Sequence, residues 1–295
     1  MTASARIAVV IATTGRAAIV DRTAPLWLRQ TRPFDRLILS AASEADIGPQ
    51  ARAIPGVEIL VGPKGSCHQR NTALDAVGAD CPIVAFADDD YLPSRRFLAL
   101  TEAILAAEPD IHCLTGHVIA DGARSQGIAF DDALAIIDAS DASPAQEGFK
   151  LIPAAHGYGC NLVARMAAAP AVRFDERLPL YGWMEDLDFS RRVAAQGRIM
   201  RSMALLGVHM GVKSGRQPGV RLGYSQVANI AYLAGKGSMP WTEAAAQIGR
   251  NVAANAAKAL FPEPWVDRKG RLRGNVIAFG DGLAGRLRPE RVLEL

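Results

Sequence analysis

Residues Ile83-Val84-Ala85-Phe86-Ala87-Asp88-Asp89-Asp90-Tyr91-Leu92-Pro93 decide how the chain is read. The apolar run has the length and composition of a buried strand, and it ends abruptly in three carboxylates. Unpaired, those charges repel one another and cannot be buried, so the strand must deliver them to solvent, to a cation, or to both. Asp88 and Asp90 are alternate residues, which in a strand point the same way. Such a pair suits Mg2+ or Mn2+, hard cations that take carboxylate oxygen, keep waters and complete their shell with substrate phosphates. The reading is a metal site that holds a nucleotide diphosphate; a solvated acidic turn is the simpler alternative for three aspartates taken alone.

Working back from this stretch, Ile7 to Ala12 is a β-branched run stopped by Thr13-Thr14-Gly15-Arg16, a buried strand feeding a polar turn that is the first candidate ligand contact. A helix is expected through Trp27 and Leu28. Arg36 to Leu39 and Val57 to Val61 read as further strands, the latter bounded by Pro55-Gly56 and Gly62-Pro63. Ser66-Cys67-His68-Gln69 fits a capping box opening a helix to about Val77. On that helix Asn71 shares a face with Cys67, Leu74 and Val77, so it must find hydrogen-bond partners toward the sheet, and Arg70 lies about 100° round from it. Ser94 reads as the N-cap of a helix through Leu105. Strand and helix alternate, which predicts an α/β fold with a mainly parallel sheet, helices on both faces and ligands at the carboxyl ends of the strands. Thr13 to Arg16 and Asp88 to Asp90 both occupy such ends.

Downstream, Ile111 to Ile119 is expected as a strand, followed by an irregular excursion from Gly122 to about Pro153. The glycine spacing of Gly157-Tyr158-Gly159-Cys160-Asn161 suggests close backbone approach at a strand. A second acidic cluster, Glu185-Asp186-Leu187-Asp188, opens helix-compatible sequence; on a helix Asp186 and Asp188 diverge by about 200°, so both cannot face one cleft. Ile199 to His209 is an apolar run ending in a histidine. The stretch from Gly211 to Gly223 reads as a flexible basic loop, in which Lys213 and Arg216 are candidates to close over a diphosphate. Tyr224 to Leu260 predicts two helices split at Gly235 to Pro240, with a short helix over Asn275 to Leu283. The expected organisation is a nucleotide-binding and catalytic α/β domain over 1–210, the flexible basic loop over 211–223 and a helical C-terminal extension over 224–295.

Composition narrows the classes. The 295 residues are 49% hydrophobic and 21% charged, which gives ample core and excludes a disordered chain. A net charge of +3 is too small for nucleic-acid binding by bulk electrostatics. Cys67, Cys81, Cys113 and Cys160 form no CxxC pair and the start of the sequence has no secretion pattern, so reduced thiols and a cytoplasmic location are expected. No window reaches the length of a membrane span. Arg268, Lys269, Arg271 and Arg273 make a basic C-terminal part that is either a solvated surface or a peripheral contact with anionic lipid at the inner face of a membrane.

The ordered set Thr13-Thr14-Gly15-Arg16, Gln69-Arg70-Asn71, Asp88-Asp89-Asp90, and Phe174-Asp175-Glu176 with Glu185-Asp186-Leu187-Asp188-Phe189, followed by His209, resembles a family 2 glycosyltransferase of the GT-A type over roughly residues 6 to 210. The resemblance implies a metal-dependent, inverting hexosyl- or deoxyhexosyltransferase that uses a UDP-, dTDP- or GDP-linked sugar and a glycan, lipid-linked or other hydroxyl acceptor, in polysaccharide or glycoconjugate assembly. Carried over, Asp88 meets the ribose, Asp90 binds the metal, Asp89 is a neighbour in the nucleotide site, and His209 completes the metal shell. Arg16, Arg70, Thr13, Thr14, Gly15 and Lys213 then line the nucleotide. Asp186 is the general base, with Glu185 in support, while Asn161 and Trp183 lie on the acceptor side. The acidic or Asx residue that reads the base in relatives after the second strand is replaced here by Ser40-Ala41-Ala42-Ser43, with Asp46 later, so base recognition stays open. Two alternatives remain beside this reading: a sugar-nucleotide nucleotidyltransferase, for which the turn after the first strand is too short a phosphate loop, and a non-catalytic nucleotide-sugar-binding protein of the same fold. A homo-oligomer is compatible with all three.

Overall fold

A computed structural model describes residues 5–143, 148–214 and 218–295. Its nine strands form one sheet: β1 (Ile7–Thr13), β2 (Arg36–Ala41), β3 (Val57–Val61), β4 (Ile83–Asp88), β5 (Tyr91–Pro93), β6 (Ile111–Asp121), β7 (Leu151–Pro153), β8 (Asn161–Arg165) and β9 (Arg198–His209). The order is β3-β2-β1-β4-β8-β6-β9-β5, with β7 beside β9. Strands β1, β2, β3, β4, β6 and β9 run one way and β5, β7 and β8 the other. The expected mainly parallel α/β sheet is therefore present, with Thr13, Asp88, Asp121 and His209 at the carboxyl ends of their strands on one edge.

Period-two alternation explains why both faces are covered. In β1, Ile7, Val9 and Ile11 enter one core cluster while Ala8 and Val10 enter the other. The first cluster is closed by α1 (Ala17–Thr23) with the 3-10 turn that follows, α2 (Pro49–Arg52) and α4 (Phe97–Ala107), through Val20, Trp27, Ala51, Phe97 and Ile104. The second is closed by α3 (Ser66–Val77) and α6 (Glu185–Val193), where Phe86, Phe174 and Phe189 pack together and the last two stack at 3.9 Å. Asn71 finds the partners its position demanded: its amide donates to the Phe174 carbonyl at 2.9 Å and accepts from the Phe174 N–H at 2.8 Å. It thereby pins the approach to α6 onto α3.

Several local expectations are corrected. The stretch from 122 to 153 contains α5 (Phe130–Ala142), because Phe130, Ala133, Leu134 and Ile137 fall on one helical face against the β5–β9 corner. The N-cap of α3 is Gly65, not Ser66; Gln69 does reach back as a capping box requires, but to the Gly65 N–H at 3.3 Å. Likewise α4 begins at Phe97 with Arg96, not Ser94, as its N-cap; Ser94 Oγ accepts from the Arg96 N–H at 3.2 Å.

Beyond β9 lie α7 (Gly219–Lys236), α8 (Trp241–Lys258) and α9 (Arg268–Leu283). The helix α7 begins inside the stretch read as loop, and α9 starts seven residues earlier than Asn275, capped by Asp267. Gly223 and Gly274 let α7 and α9 touch backbone to backbone: a Cβ on either would collide with a carbonyl oxygen of the other helix. The buried amides of Gln226, Asn255 and Asn275 join all three helices. Asp188, expected to point away from the cleft, does so: it is fully buried and accepts from Arg192 at 3.1 Å, Lys236 at 2.8 Å and Ser238, which ties α6 to the end of α7. Replacing Asp188 with Ala strands Lys236 and Arg192 beside an empty carboxylate site, so a loss of about 3 kcal/mol in a urea denaturation curve is expected; a loss within error would contradict this lock.

Candidate active site

Strand pairing assembles the site. Tyr91 of β5 and Asp121 of β6 are both register partners of His209, so the residue before Tyr91, Asp90, lies beside the imidazole. His209 Nε2 is 3.3 Å from Asp90 and 3.9 Å from Asp88, while Nδ1 is 2.9 Å from Asp121. Burial opposes a charge on this ring, but hydrogen bonds to Asp121 and Asp90 outweigh it and hold the imidazole up at about 10. The same contacts hold Asp121 down at about 2 against its own burial. Three carboxylates facing one imidazole must be balanced by a proton on that ring or by a cation in its place.

The donor set fits a cation. Asp88, Asp90 and His209 each present one ligand atom, and the three atoms lie within 4.8 Å of one another. Two carboxylate oxygens suit Mg2+ or Mn2+. Asp121 would then orient the ring from behind, as carboxylates do for metal-bound histidines. Tyr158 joins this outer layer through its hydroxyl, 3.0 Å from Asp121, and its ring lies edge-on to His209.

The middle aspartate has a different task. Asp89 is buried, accepts from Thr13 Oγ1 at 2.7 Å and Arg16 at 2.9 Å, and its carbonyl accepts from Thr23. Burial pushes its carboxyl up to about 6, against the pull of Arg16. It therefore fastens the turn after β1 to the end of β4. Arg16 is correspondingly occupied: besides Asp89 it donates to the carbonyls of Val212 and Ser214, so it stands at the rim while holding the segment after β9 in place. The Val212 N–H in turn donates to Asp90 at 2.7 Å. Gly15 takes the left-handed conformation with its N–H on Asp46, and Thr14 donates to Gln69. Asp46, the acid that comes later than in relatives, thus joins the turns after β1 and β2. Lys213 donates to the carbonyls of Gly122 and Ala123; Arg216 lies outside the described residues.

Arg70 joins the two acidic clusters. Its guanidinium is buried and donates to Glu185 at 2.6 Å, Asp88 at 3.0 Å and the Gly159 carbonyl at 3.2 Å. It is a strut between the clusters rather than a group extended toward a phosphate. Glu185 opens α6 and is buried; burial and neighbouring Asp186 push its carboxyl up to about 8, with Arg70 pulling the other way. Asp186, next along, is half-buried and accepts from the Gly159 N–H at 3.0 Å. The helix N-terminus favours both acids. The approach to α6 is strained, with Leu180 and Met184 left-handed on either side of left-handed Gly182.

Of the acceptor-side candidates, Asn161 is fully buried and its Oδ1 accepts from Thr115 at 2.6 Å and the Gly116 N–H at 3.3 Å, joining β8 to β6. It lies behind the site and touches the cleft only through its neighbours. Trp183 is partly buried against the core beside α3 and α6, while Tyr181, tilted toward it at 6.3 Å, is the exposed aromatic. Asp121 and Tyr158 were not singled out from the sequence. Asp121 carries the same signal as Asp88, a carboxylate ending an apolar strand, but the strand's partner lies nearly ninety positions later.

No family model matches the sequence, and no curated protein matches it. The fold does match solved structures. One is the mannosyltransferase PcManGT from Pyrobaculum calidifontis in complex with GDP-Man and Mn2+, at a TM-score of 0.56 and 17% identity over 99% of this chain and 84% of that one. Another is S. aureus TarS 1–349 in complex with UDP-GlcNAc, at 0.50 and 15% over 78% of this chain and 66% of that one. The chain has a GT-A-like glycosyltransferase fold. At these identities the likeness concerns architecture, and the chemistry has to be argued from the residues.

Because the folded value of Glu185 lies above the unfolded 4.5, the stability it contributes is complete below about pH 4.5 and is lost as pH rises through about 8. Glu185→Gln cannot ionise. The difference in unfolding free energy between variant and wild type should therefore shift in the variant's favour by on the order of a few kcal/mol from pH 5 to pH 8, measured by urea titration at several pH values. Parallel curves would contradict the raised carboxyl.

Proposed function

We propose that the chain is a metal-dependent, inverting glycosyltransferase of the family 2 kind, which moves a hexosyl or deoxyhexosyl group from a UDP-, dTDP- or GDP-linked donor to a hydroxyl of a glycan or lipid-linked acceptor. One observation carries this reading: Arg70 bonds both to Asp88, beside the candidate cation site, and to Glu185, beside a solvent-reachable carboxylate. A donor-anchoring group and a proton acceptor thus share one cleft, although the sequence separates them by nearly a hundred positions.

In this reading the diphosphate lies at the edge formed by Asp88, Asp90 and His209, with Asp88 toward the ribose. A cation held there supplies positive charge to the departing diphosphate. The turn from Thr13 to Arg16 forms the adjoining wall, set by Asp89 and Asp46. Asp186 is the carboxylate an acceptor hydroxyl can reach, because Glu185 is buried under Arg70. Its Oδ2 is aimed by the Gly159 N–H. As the acceptor oxygen bonds to C1 of the sugar, the C1–O bond to phosphate breaks, the hydroxyl proton passes to Asp186 and the nucleoside diphosphate leaves with the electron pair. Attack from the face opposite the leaving group inverts the anomeric centre.

The neighbour structures with GDP-Man and Mn2+ and with UDP-GlcNAc support a sugar nucleotide as the ligand class. The test combines a thermal-shift screen of UDP, GDP and dTDP, with and without Mn2+, with turnover by wild type and Asp186→Asn. One nucleotide should raise the melting temperature by roughly 3–8 °C at a hundredfold excess over its Kd, only with metal. Asp186→Asn should keep that shift and lose on the order of 10²–10⁴ in turnover of the matching nucleotide sugar. Absence of any metal-dependent shift, or unchanged turnover in the variant, would overturn the proposal.

A further inference from the structure

The α9 helix turns an apolar face to solvent that none of the other described residues covers. Val276, Phe279 and Leu283 share a 60° arc of the helix and are 64%, 47% and 94% exposed. Leu260 and Phe261, in the turn between α8 and α9, are 79% and 87% exposed. Large apolar side chains so grouped are uncommon on a surface that faces only water.

Charge says what the face meets. Lys269 and Arg273 are exposed along the flank of this face, two turns and one turn before Val276, and Arg286 follows the helix with its side chain 72% exposed. The sole carboxylate of α9, Asp281, is buried, accepts from Tyr224 at 3.1 Å and is paired with Arg286 at 3.3 Å and Arg291 at 3.4 Å. Residues 268–295 hold seven basic and three acidic side chains. Lys269 and Arg273 sit in the first turns of α9, where the helix dipole disfavours cations, so helix stability does not account for them. At the other end a cavity of about 420 Å³ is lined by Gly285, Arg286, Leu287, Arg288 and Arg291. Self-association through this face is opposed by the same charges, since antiparallel pairing of two α9 helices would set Lys269 and Arg273 against Arg286.

We propose that this face of α9 docks the protein on an anionic lipid bilayer. Val276, Phe279 and Leu283 enter the boundary between headgroups and acyl chains, and Lys269, Arg273 and Arg286 lie among the anionic headgroups. The helix lies in the plane of the surface; among the described residues no helix is long and apolar enough to cross a membrane. The inference does not rest on the proposed reaction, and its test uses no sugar nucleotide.

The full chain is sedimented with phosphatidylcholine vesicles and with vesicles carrying about 30% phosphatidylglycerol. Wild type should pellet with the anionic vesicles, and far less with the neutral ones. Phe279→Asp/Leu283→Asp and Lys269→Glu/Arg273→Glu should each weaken anionic-vesicle binding by at least about tenfold while the melting temperature stays put. Should a double variant fail to melt cooperatively, Leu283→Ser replaces it, with a severalfold loss expected. Three results overturn the proposal: no pelleting with anionic vesicles, equal pelleting with both kinds, or a wild-type dimer in analytical ultracentrifugation that Phe279→Asp/Leu283→Asp dissociates while vesicles are ignored.

Discussion

A guanidinium cannot shed its charge at any pH a protein meets, so Arg70, only 3% exposed, has to be answered by carboxylates. It meets two acids, Asp88 from the end of β4 and Glu185, whose carboxyl burial pushes up to about 8, from the start of α6. Burying that one cation therefore fixes where two distant segments meet. The Gly159 backbone completes the arrangement, its carbonyl accepting from Arg70 and its N–H donating to Asp186. The face of Phe174 lies 5.2 Å from the guanidinium, and Phe174 is itself held by Asn71, one residue along α3. The short helix α3 thus positions both the wall of the cleft and the carboxylates that face into it.

The sheet does the remaining work by direction alone. Because β4, β6 and β9 run the same way, their terminal acids and histidine arrive on one edge, and reversal of β5 brings Asp90 back beside His209. Like charges gathered at such an edge need countercharge. Arg16 supplies it for Asp89, Arg70 for Asp88, and the imidazole for Asp90 and Asp121. Only at the last of these does the balancing charge sit on a group able to ligate a metal, so Asp88, Asp90 and His209 form the candidate cation site and Asp89 does not join it.

Much of this was legible in the sequence. Alternating apolar runs and turns gave β1, β3 and β9 to within a residue, and strands ending in polar clusters marked Thr13–Arg16, Asp88–Asp90 and His209. What escaped depended on pairings between remote residues. Nothing local tells that Asp89 is claimed by Thr13 and Arg16, or that Arg70 spends its donors on Glu185, because each contact spans at least fifty positions. Asp121 was hidden for the same reason, its meaning coming only from the β6–β9 register. The helix α5 was missed because its alanines and aspartates look loop-like until Phe130, Ala133 and Ile137 are seen to fall on one face.

Asp90 and His209, with Asp88 beside them, form the proposed site at which a divalent cation meets a nucleoside diphosphate. Anomalous diffraction at the manganese edge, from crystals grown with Mn2+ and the nucleotide, tests it directly. One anomalous peak is expected within about 2.0–2.4 Å of an Asp90 oxygen and of His209 Nε2, touching diphosphate oxygens on its open side. A diphosphate bound with no peak there, or a peak ligated elsewhere in the cleft, would contradict it.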